Sequence, residues 1–137
     1  MSYDLMVFEK EKAPKTKKNF MAWYEKQVEW SEEHDYQRIS VSSSALQNWF
    51  MEMKETFPPM NGEYAPASEL LDEDENLESY LTDYCIGRDV IYASFAWSVA
   101  SEAYERMRSL AQKHNVGFFD VSAEDGDIIL PDGTMIV

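Results

Sequence analysis

The fold is decided by residues 83–115, whose sequence is DYCIGRDVIYASFAWSVASEAYERMRSLAQKHN. The first half of this stretch predicts a β-hairpin, because apolar residues alternate at the period-two spacing of a strand on both sides of a turn at Gly87-Arg88-Asp89. The alternating residues are Tyr84, Ile86, Ile91, Ala93 and Phe95. Gly87 is expected to supply the positive φ that a tight hairpin turn needs.

The second half of this stretch predicts an amphipathic helix that packs against the hairpin. Ser98 is its expected N-cap, and Asn115 is its expected left-handed end. Between them, small and apolar residues recur at spacings of three and four, which places them on one stripe of a helix. They are Ala100, Ala103, Tyr104, Met107, Leu110 and Ala111.

The segments before the hairpin predict one strand and two helices. Residues 3–8 alternate Leu5 and Val7 with Met6 and Phe8, and apolar groups on both faces indicate a central strand. A helix is expected from Thr16 as its N-cap. A second helix is expected after the serines at 42–44, any of which could be its N-cap. Its apolar stripe is expected at Leu46, Trp49, Phe50, Met53 and Phe57.

The remaining segments predict loop and short strands. Residues 60–79 are expected to be mostly loop, with a turn at Asn61-Gly62 and room for one short helical turn. A strand is expected over residues 116–122. Two further runs, 128–130 and 135–137, flank Asp132-Gly133 and predict a terminal β-hairpin.

This order of elements predicts one α+β domain over residues 1–137. It resembles the ferredoxin-like, split βαβ arrangement, in which helices cover one face of an antiparallel sheet. About seventy residues separate the first strand from the second, far more than a usual connection. We therefore expect an extra helix inserted in the first crossover and a C-terminal β-hairpin added to the sheet.

Charge is the strongest compositional signal. The 137 residues hold 26 acidic and 12 basic side chains, which gives a formal net charge of -14. Residues 1–20 are net basic, so residues 21–137 carry a larger negative balance. Such a field opposes binding to nucleic acid and favours a basic protein partner.

Cysteine content and the start of the chain predict a soluble cytoplasmic protein. Cys85 is the sole cysteine, so neither an intramolecular disulfide nor a multi-thiolate zinc site is possible within one chain. It is expected to be a small core residue on the hairpin. Residues 1–4 lack the basic region of a signal peptide, and no long apolar run follows them, so no membrane association is expected.

No pattern for a metal or a cofactor is found. The acidic run from Asp72 to Glu78 and the group Asp120, Asp125 and Asp127 both lack EF-hand spacing. The five glycines form no nucleotide-binding loop. We therefore predict neither a metal nor a cofactor.

Two histidines could carry catalysis. His114 lies in the last turn of the predicted third helix, where the helix dipole favours a cation, and this indicates a structural role. His34 lies within Trp30–Tyr36, beside carboxylates and a hydroxyl. A small hydrolase-type enzyme is therefore an alternative, with a cleft between Trp30–Tyr36 and Pro58–Gly62. Its weak catalytic candidates are Glu32, His34 and Asn61, beside the aromatic residues Trp30, Tyr36 and Trp49.

Four segments carry a resemblance to known sequences: WSEEHDY at 30–36, FPPMNG at 57–62, TDYCIG at 82–87 and GFFDVS at 117–122. With the start MSYDLMVFE, they resemble a set of small uncharacterised bacterial proteins of about this length. Small, very acidic bacterial domains of this kind resemble immunity proteins and antitoxins. By that analogy we expect a partner that is a basic toxin.

The leading hypothesis is an acidic protein-binding module that occludes a basic protein partner. Tyrosines among steering charges can serve as anchors. The expected partner-binding residues are Tyr64, Glu69, Asp72, Glu73, Asp74, Glu75, Glu78 and Tyr80. The apolar tail also needs a cover, so we expect either a homodimer through the C-terminal hairpin or a tail folded back on its own sheet.

Overall fold

The computed structural model describes residues 2–137, and within this range the chain forms one antiparallel sheet of five strands. The strands are Tyr3–Phe8 (β1), Asp83–Ile86 (β2), Val90–Phe95 (β3), Gly117–Phe119 (β4) and Ile128–Ile129 (β5). Their order across the sheet is β2-β3-β1-β4-β5. The α+β class is therefore confirmed.

Strand β1 lies at the centre of the sheet, as its apolar alternation predicts. It pairs with β3 on one side, where Leu5 lies opposite Ala93, and with β4 on the other, where Met6 lies opposite Phe119. Leu5 and Val7 belong to one buried cluster, whereas Met6 and Phe8 belong to a second cluster. A strand buried on both faces needs cover on both faces.

Five α-helices occur within residues 2–137. They are Lys17–Gln27 (α1), Ser44–Met53 (α2), Ser68–Glu73 (α3), Glu75–Tyr80 (α4) and Ala100–Lys113 (α5). Thr16 caps α1 and Ser43 caps α2, since each side chain accepts a hydrogen bond from a backbone N–H of the first turn. Both caps agree with prediction.

The two faces of the sheet are covered by different helices. Helices α2 and α5 pack on the face of Leu5 and Val7. Helix α1 packs its Phe20 on the opposite face, against Phe8 and Phe119. The expectation that helices cover one face only is therefore wrong, because β1 presents apolar side chains to both sides. The lysine-bearing helix α1 thus lies across the sheet from α2 and α5.

The β2–β3 hairpin forms as predicted, but Gly87 does not have the positive φ that was expected of it. Gly87 donates its backbone N–H to the carbonyl oxygen of Val90 at 2.8 Å, yet it is not among the residues with positive φ. A Cβ at this position would lie 3.0 Å from Oε2 of Glu32. Gly87 is therefore needed for close approach of a side chain rather than for its backbone conformation.

The two ends of α5 differ in how well they were predicted. Ser98 does not cap the helix; it lies within a 3-10 turn at Trp97–Val99 that leads into α5. Asn115 has φ of 62°, which confirms the predicted left-handed end.

The stretch predicted to be loop is largely helical. Residues 68–80 form α3 and α4, two helices of six residues each. Asp74 lies between them and caps α4 by accepting a hydrogen bond from the backbone N–H of Asn76 at 3.0 Å. The turn at Asn61-Gly62 is present, with φ of 89° at Gly62. Short polar helices lack the apolar stripe on which a helix prediction depends.

The tail folds back on its own sheet. Ile128, Ile129 and Ile136 are buried, and the N–H of Ile136 donates to the carbonyl oxygen of Ile128 at 2.9 Å. Gly133 takes the left-handed conformation that closes the turn. The three isoleucines are thus covered within one chain, whereas Met135 and Val137 are exposed, and the homodimer stays a prediction.

Candidate functional site

A polar clasp joins the segment Trp30–Tyr36 to the β2–β3 turn. Its centre is Oε1 of Glu32, which accepts hydrogen bonds from Nε2 of His34 at 2.7 Å and from the backbone N–H of Arg88 at 3.1 Å. The Nε of Arg88 lies 3.3 Å from the same oxygen. The sequence neighbours Glu32 and His34 are therefore together, and Arg88 is the partner that the sequence did not reveal.

The hydrogen bonds of the clasp determine the tautomer of His34. Its Nδ1 accepts from the backbone N–H of Tyr36 at 3.1 Å, so the ring proton lies on Nε2, which donates to Glu32. The backbone N–H of Glu32 in turn donates to the hydroxyl oxygen of Tyr36 at 2.6 Å. Both ring nitrogens of His34 are engaged, which suits a structural clasp better than a general base.

The clasp holds an uncommon backbone conformation. Trp30 and Tyr36 both have positive φ, at 53° and 59°, which is rare for bulky residues. Their rings pack edge to face with centroids 5.2 Å apart, and Trp30 also packs edge to face against Tyr92. These ring contacts offset the free-energy cost of the two positive φ angles, and they hold the segment Trp30–Tyr36 against the sheet.

The pKa of Glu32 reflects this environment. Burial alone raises the pKa of its carboxyl, but hydrogen bonds from His34 and Arg88 more than offset burial and bring it below its ordinary value. A carboxyl whose pKa is lower in the folded chain stabilises the fold above its unfolded pKa. That contribution is lost as the pH falls through the folded value.

We predict that Glu32→Gln lowers the free energy of unfolding by about 1–2 kcal/mol at pH 7, because the charge-assisted bonds to His34 and Arg88 are weakened. Urea unfolding of the two proteins between pH 7 and pH 3 measures this difference. The difference should shrink below about pH 4.3, where the carboxyl protonates in the unfolded chain. The control is Glu33→Gln, an exposed neighbour. A difference that stays constant down to pH 3 contradicts the prediction.

The predicted enzyme cleft is divided between separate depressions. Asn61 is exposed and lines a cavity of about 10 Å³ with Gln37 and Tyr84, room for one water molecule. Glu32 lines a different depression of about 490 Å³ with Arg88. Trp49 is fully buried and forms no cleft wall. The structure thus brings Glu32 and His34 together but gives Asn61 other neighbours.

The other two ionisable candidates, His114 and Cys85, lie in surroundings that indicate structural rather than catalytic roles. Nε2 of His114 lies 2.9 Å from Oε1 of Glu52, which also accepts from Lys113, so His114 ties the end of α5 to α2. A structural role was predicted for His114, but this partner was not. Cys85 is only half-buried and belongs to neither buried cluster, so the expectation of a core residue is wrong. Its partial burial raises the pKa of its thiol. Within residues 2–137, no three His, Cys, Asp or Glu side chains are grouped to hold a metal ion. None of the helices described is long and apolar enough to cross a bilayer.

The second candidate site is the acidic segment, residues 55–87. It holds nine carboxylates and no lysine, arginine or histidine. Six of the carboxylates were predicted to bind a partner, and all six are exposed: Glu69, Asp72, Glu73, Asp74, Glu75 and Glu78. Across residues 2–137, the ion pairs that form involve none of these six. Their charge is therefore uncompensated within the chain.

The two tyrosines of the predicted site are placed differently from each other. Tyr64 is 39% exposed, and Nζ of Lys54 lies 5.1 Å from its ring centroid. Tyr80 is half-buried; its ring packs on Phe57 and its hydroxyl donates to Oε2 of Glu102 at 2.7 Å. The bond to Glu102 raises the pKa of Tyr80. Tyr64 is thus open to a partner, whereas Tyr80 mainly holds α4 on the domain.

Trp97 is an exposed aromatic residue that sequence reasoning missed. Its side chain is 54% exposed, and it begins the 3-10 turn Trp97–Val99 that precedes α5. Helix α4 lies against this turn. Strand alternation continued from Phe95 would bury Trp97, but the turn interrupts that alternation. The ring of Trp97 therefore faces solvent beside the acidic segment.

Comparison with protein-family models, curated proteins and solved structures gives no match for this chain.

Proposed function

We propose that the protein is an acidic binding module that occludes a basic protein partner, in the manner of an immunity protein or antitoxin. The observation that carries this proposal is the acidic segment, with nine carboxylates and no cationic side chain over 33 residues. Uncompensated charge of one sign speeds the encounter with a partner of opposite sign. The same field repels nucleic acid and anionic bilayers, so we propose neither as a partner. The single cysteine suits a reducing compartment, and we propose a cytoplasmic location.

Steering charges alone give little affinity, because exposed ion pairs contribute only about 0–1 kcal/mol each. A stable complex also needs apolar anchors. The acidic segment offers Leu70, which is 51% exposed on α3, as well as Tyr64. We propose that these side chains are buried by the partner while the carboxylates around them pair with its lysines and arginines.

We also propose that the sheet belongs to the ferredoxin-like, split βαβ class. The order β2-β3-β1-β4 and the antiparallel pairing of each neighbour support this assignment. In that arrangement β1 lies between β3 and β4, which α5 connects. The departures are the four helices between β1 and β2 and the position of α1 on the far face.

The hydrolase-type alternative has weaker support. The short bond between Glu32 and His34 is its one favourable observation. Against it, the second ring nitrogen of His34 is already an acceptor, and Asn61 lines another cavity. The test is hydrolysis of a panel of ester and peptide substrates. Activity that the wild type shows and His34→Ala lacks would support the hydrolase alternative.

Neutralising the acidic segment should weaken partner binding. The variant combines Glu69→Gln, Asp72→Asn, Glu73→Gln, Glu75→Gln and Glu78→Gln, and it spares Asp74 because that side chain caps α4. At roughly 0.5 kcal/mol for each of the five charges, affinity for the partner should fall about sixtyfold. The partner is first captured on the tagged wild-type chain, and its affinity is then measured by calorimetry.

The matched control neutralises five exposed carboxylates outside the acidic segment, which gives the same net charge. They are Glu11, Glu25, Glu29, Glu105 and Glu124. This variant should retain a captured basic protein that the first variant loses. Equal retention by the two variants, or capture of acidic proteins only, would contradict the proposal.

A further inference from the structure

Aromatic side chains gather with a carboxylate at one end of the sheet, on the face that α5 covers. The ring centroids of Tyr3 and Trp97 are 5.1 Å apart and tilted by 52°. Tyr104 of α5 packs edge to face on Phe118 of β4 at 5.3 Å. Asp120 follows Phe118 by two residues, so its side chain leaves the chain on the same face.

The strand register brings Asp120 close to Tyr3. Met6 lies opposite Phe119, the last residue of β4, so continuing the register by one residue would place Asp120 opposite Leu5 and diagonal to Tyr3. Tyr3 and Leu5 share the same buried cluster. Burial raises the pKa of Tyr3 to about 12, with Asp120 contributing next.

Asp120 has an incompletely satisfied carboxylate. Its Oδ1 is buried and accepts no hydrogen bond from any residue of the described range 2–137. Burial raises the pKa of this carboxyl, and the nearby Asp127 adds to the effect, while the N–H of Ala123 opposes it. A buried carboxylate oxygen without a donor is destabilised, and a nearby cation relieves that cost.

Trp97 is available to a partner, whereas Tyr104 already has a cation. The guanidinium of Arg108 lies over Tyr104, 6.0 Å from the ring centroid, and donates to its hydroxyl oxygen at 3.3 Å. The cation–π contacts among residues 2–137 do not include Trp97. Helix α4 lies against the Trp97–Val99 turn, which places the acidic segment beside the exposed indole.

We propose that Trp97, backed by Tyr3, is the anchor for an arginine side chain of the basic partner. The guanidinium plane stacks on the indole, Asp120 supplies negative potential behind the two rings, and the acidic segment pairs with neighbouring basic residues. Arginine fits better than lysine because its planar, weakly hydrated group stacks on aromatic faces. This inference rests on the proposed function and names the chemistry of the partner at the site.

The probe for this anchor is a hexa-arginine peptide titrated into the ¹⁵N-labelled protein at low salt. The chain has four tryptophans, so four indole N–H signals are expected, and Trp97→Phe assigns the relevant one. We expect the Trp97 signal to shift with the acidic-segment amides. Affinity should fall about tenfold in Trp97→Ala and about threefold in Asp120→Asn, while Trp97→Phe retains most of it.

The controls separate this anchor from the proposed function. Met135→Ala removes another exposed apolar side chain and should leave peptide affinity unchanged. Shifts of the acidic-segment amides with an unmoved Trp97 overturn the anchor and leave the proposed function standing. A spectrum unmoved throughout counts against both. Equal shifts of Trp97 with hexa-lysine overturn the assignment to a guanidinium. Asp120→Asn, which keeps the shape of the side chain, tests the anchor even if Trp97→Ala fails to fold.

Discussion

Replacement of Trp49 by alanine is expected to lower the free energy of unfolding by about 4 kcal/mol. Trp49 is the largest side chain that is fully buried. It stands on α2, its indole N–H donates to the carbonyl oxygen of Met107 on α5, and its ring packs edge to face on Tyr84 of β2. Removing it opens a cavity where two helices meet the sheet and leaves the Met107 carbonyl without that donor.

Urea unfolding followed by circular dichroism measures this loss. The control is Met51→Ala on the same helix, where the side chain is 38% exposed and a loss below about 1 kcal/mol is expected. Because small domains have only about 5–15 kcal/mol of stability, the Trp49 variant should be partly unfolded at 37 °C. Similar losses in the two variants would mean that α2 does not pack as described.

Gly117→Ala is expected to destabilise the chain by about 3 kcal/mol through overpacking. Gly117 begins β4 opposite Phe8, and a Cβ there would lie 2.1 Å from the Cζ of that ring. The ring cannot withdraw easily, because Phe8 is fully buried and packs edge to face on Phe20. The ring must shift or the two strands must separate.

A double-mutant cycle identifies the clash. In a Phe8→Leu background the ring is absent, so the added cost of Gly117→Ala should fall to about 1 kcal/mol. Gly133→Ala is the control for backbone strain alone, since its φ is 92° and no atom lies within 4 Å of an added Cβ. It should cost about 1 kcal/mol. Equal cost of Gly117→Ala in the two backgrounds would exclude Phe8 as the obstacle.

The strands and the longer helices could be predicted because their signals are local. The alternation in residues 3–8 indicates a doubly buried strand, and Thr16 marks the start of α1. The face that α1 covers could not be predicted, since amphipathicity shows which side chains are buried but not what they contact. Helices α3 and α4 were missed because they are short and their acidic residues give no apolar period.

In the two candidate sites, too, features with a local sequence signal could be predicted, whereas contacts between distant residues could not. The exposure of the acidic run follows from its charge and was predicted, and so was the proximity of Glu32 to His34. Arg88 is 56 residues away from Glu32 in sequence, and only the folded hairpin brings them together. Trp97 was missed because a 3-10 turn interrupts the strand pattern at that residue.

The placement of α1 across the sheet from α2 and α5 gives the molecule an electric dipole moment. Lysines 15, 17 and 18 lie at the start of α1, while α4, whose Tyr80 packs on the opposite cluster, carries carboxylates. In the field of an approaching cationic protein, a dipole experiences a torque as well as an attraction. If the proposed basic partner exists, we expect the molecule to turn its acidic side toward it before contact. This alignment should weaken once the Debye length falls to about 8 Å at physiological ionic strength.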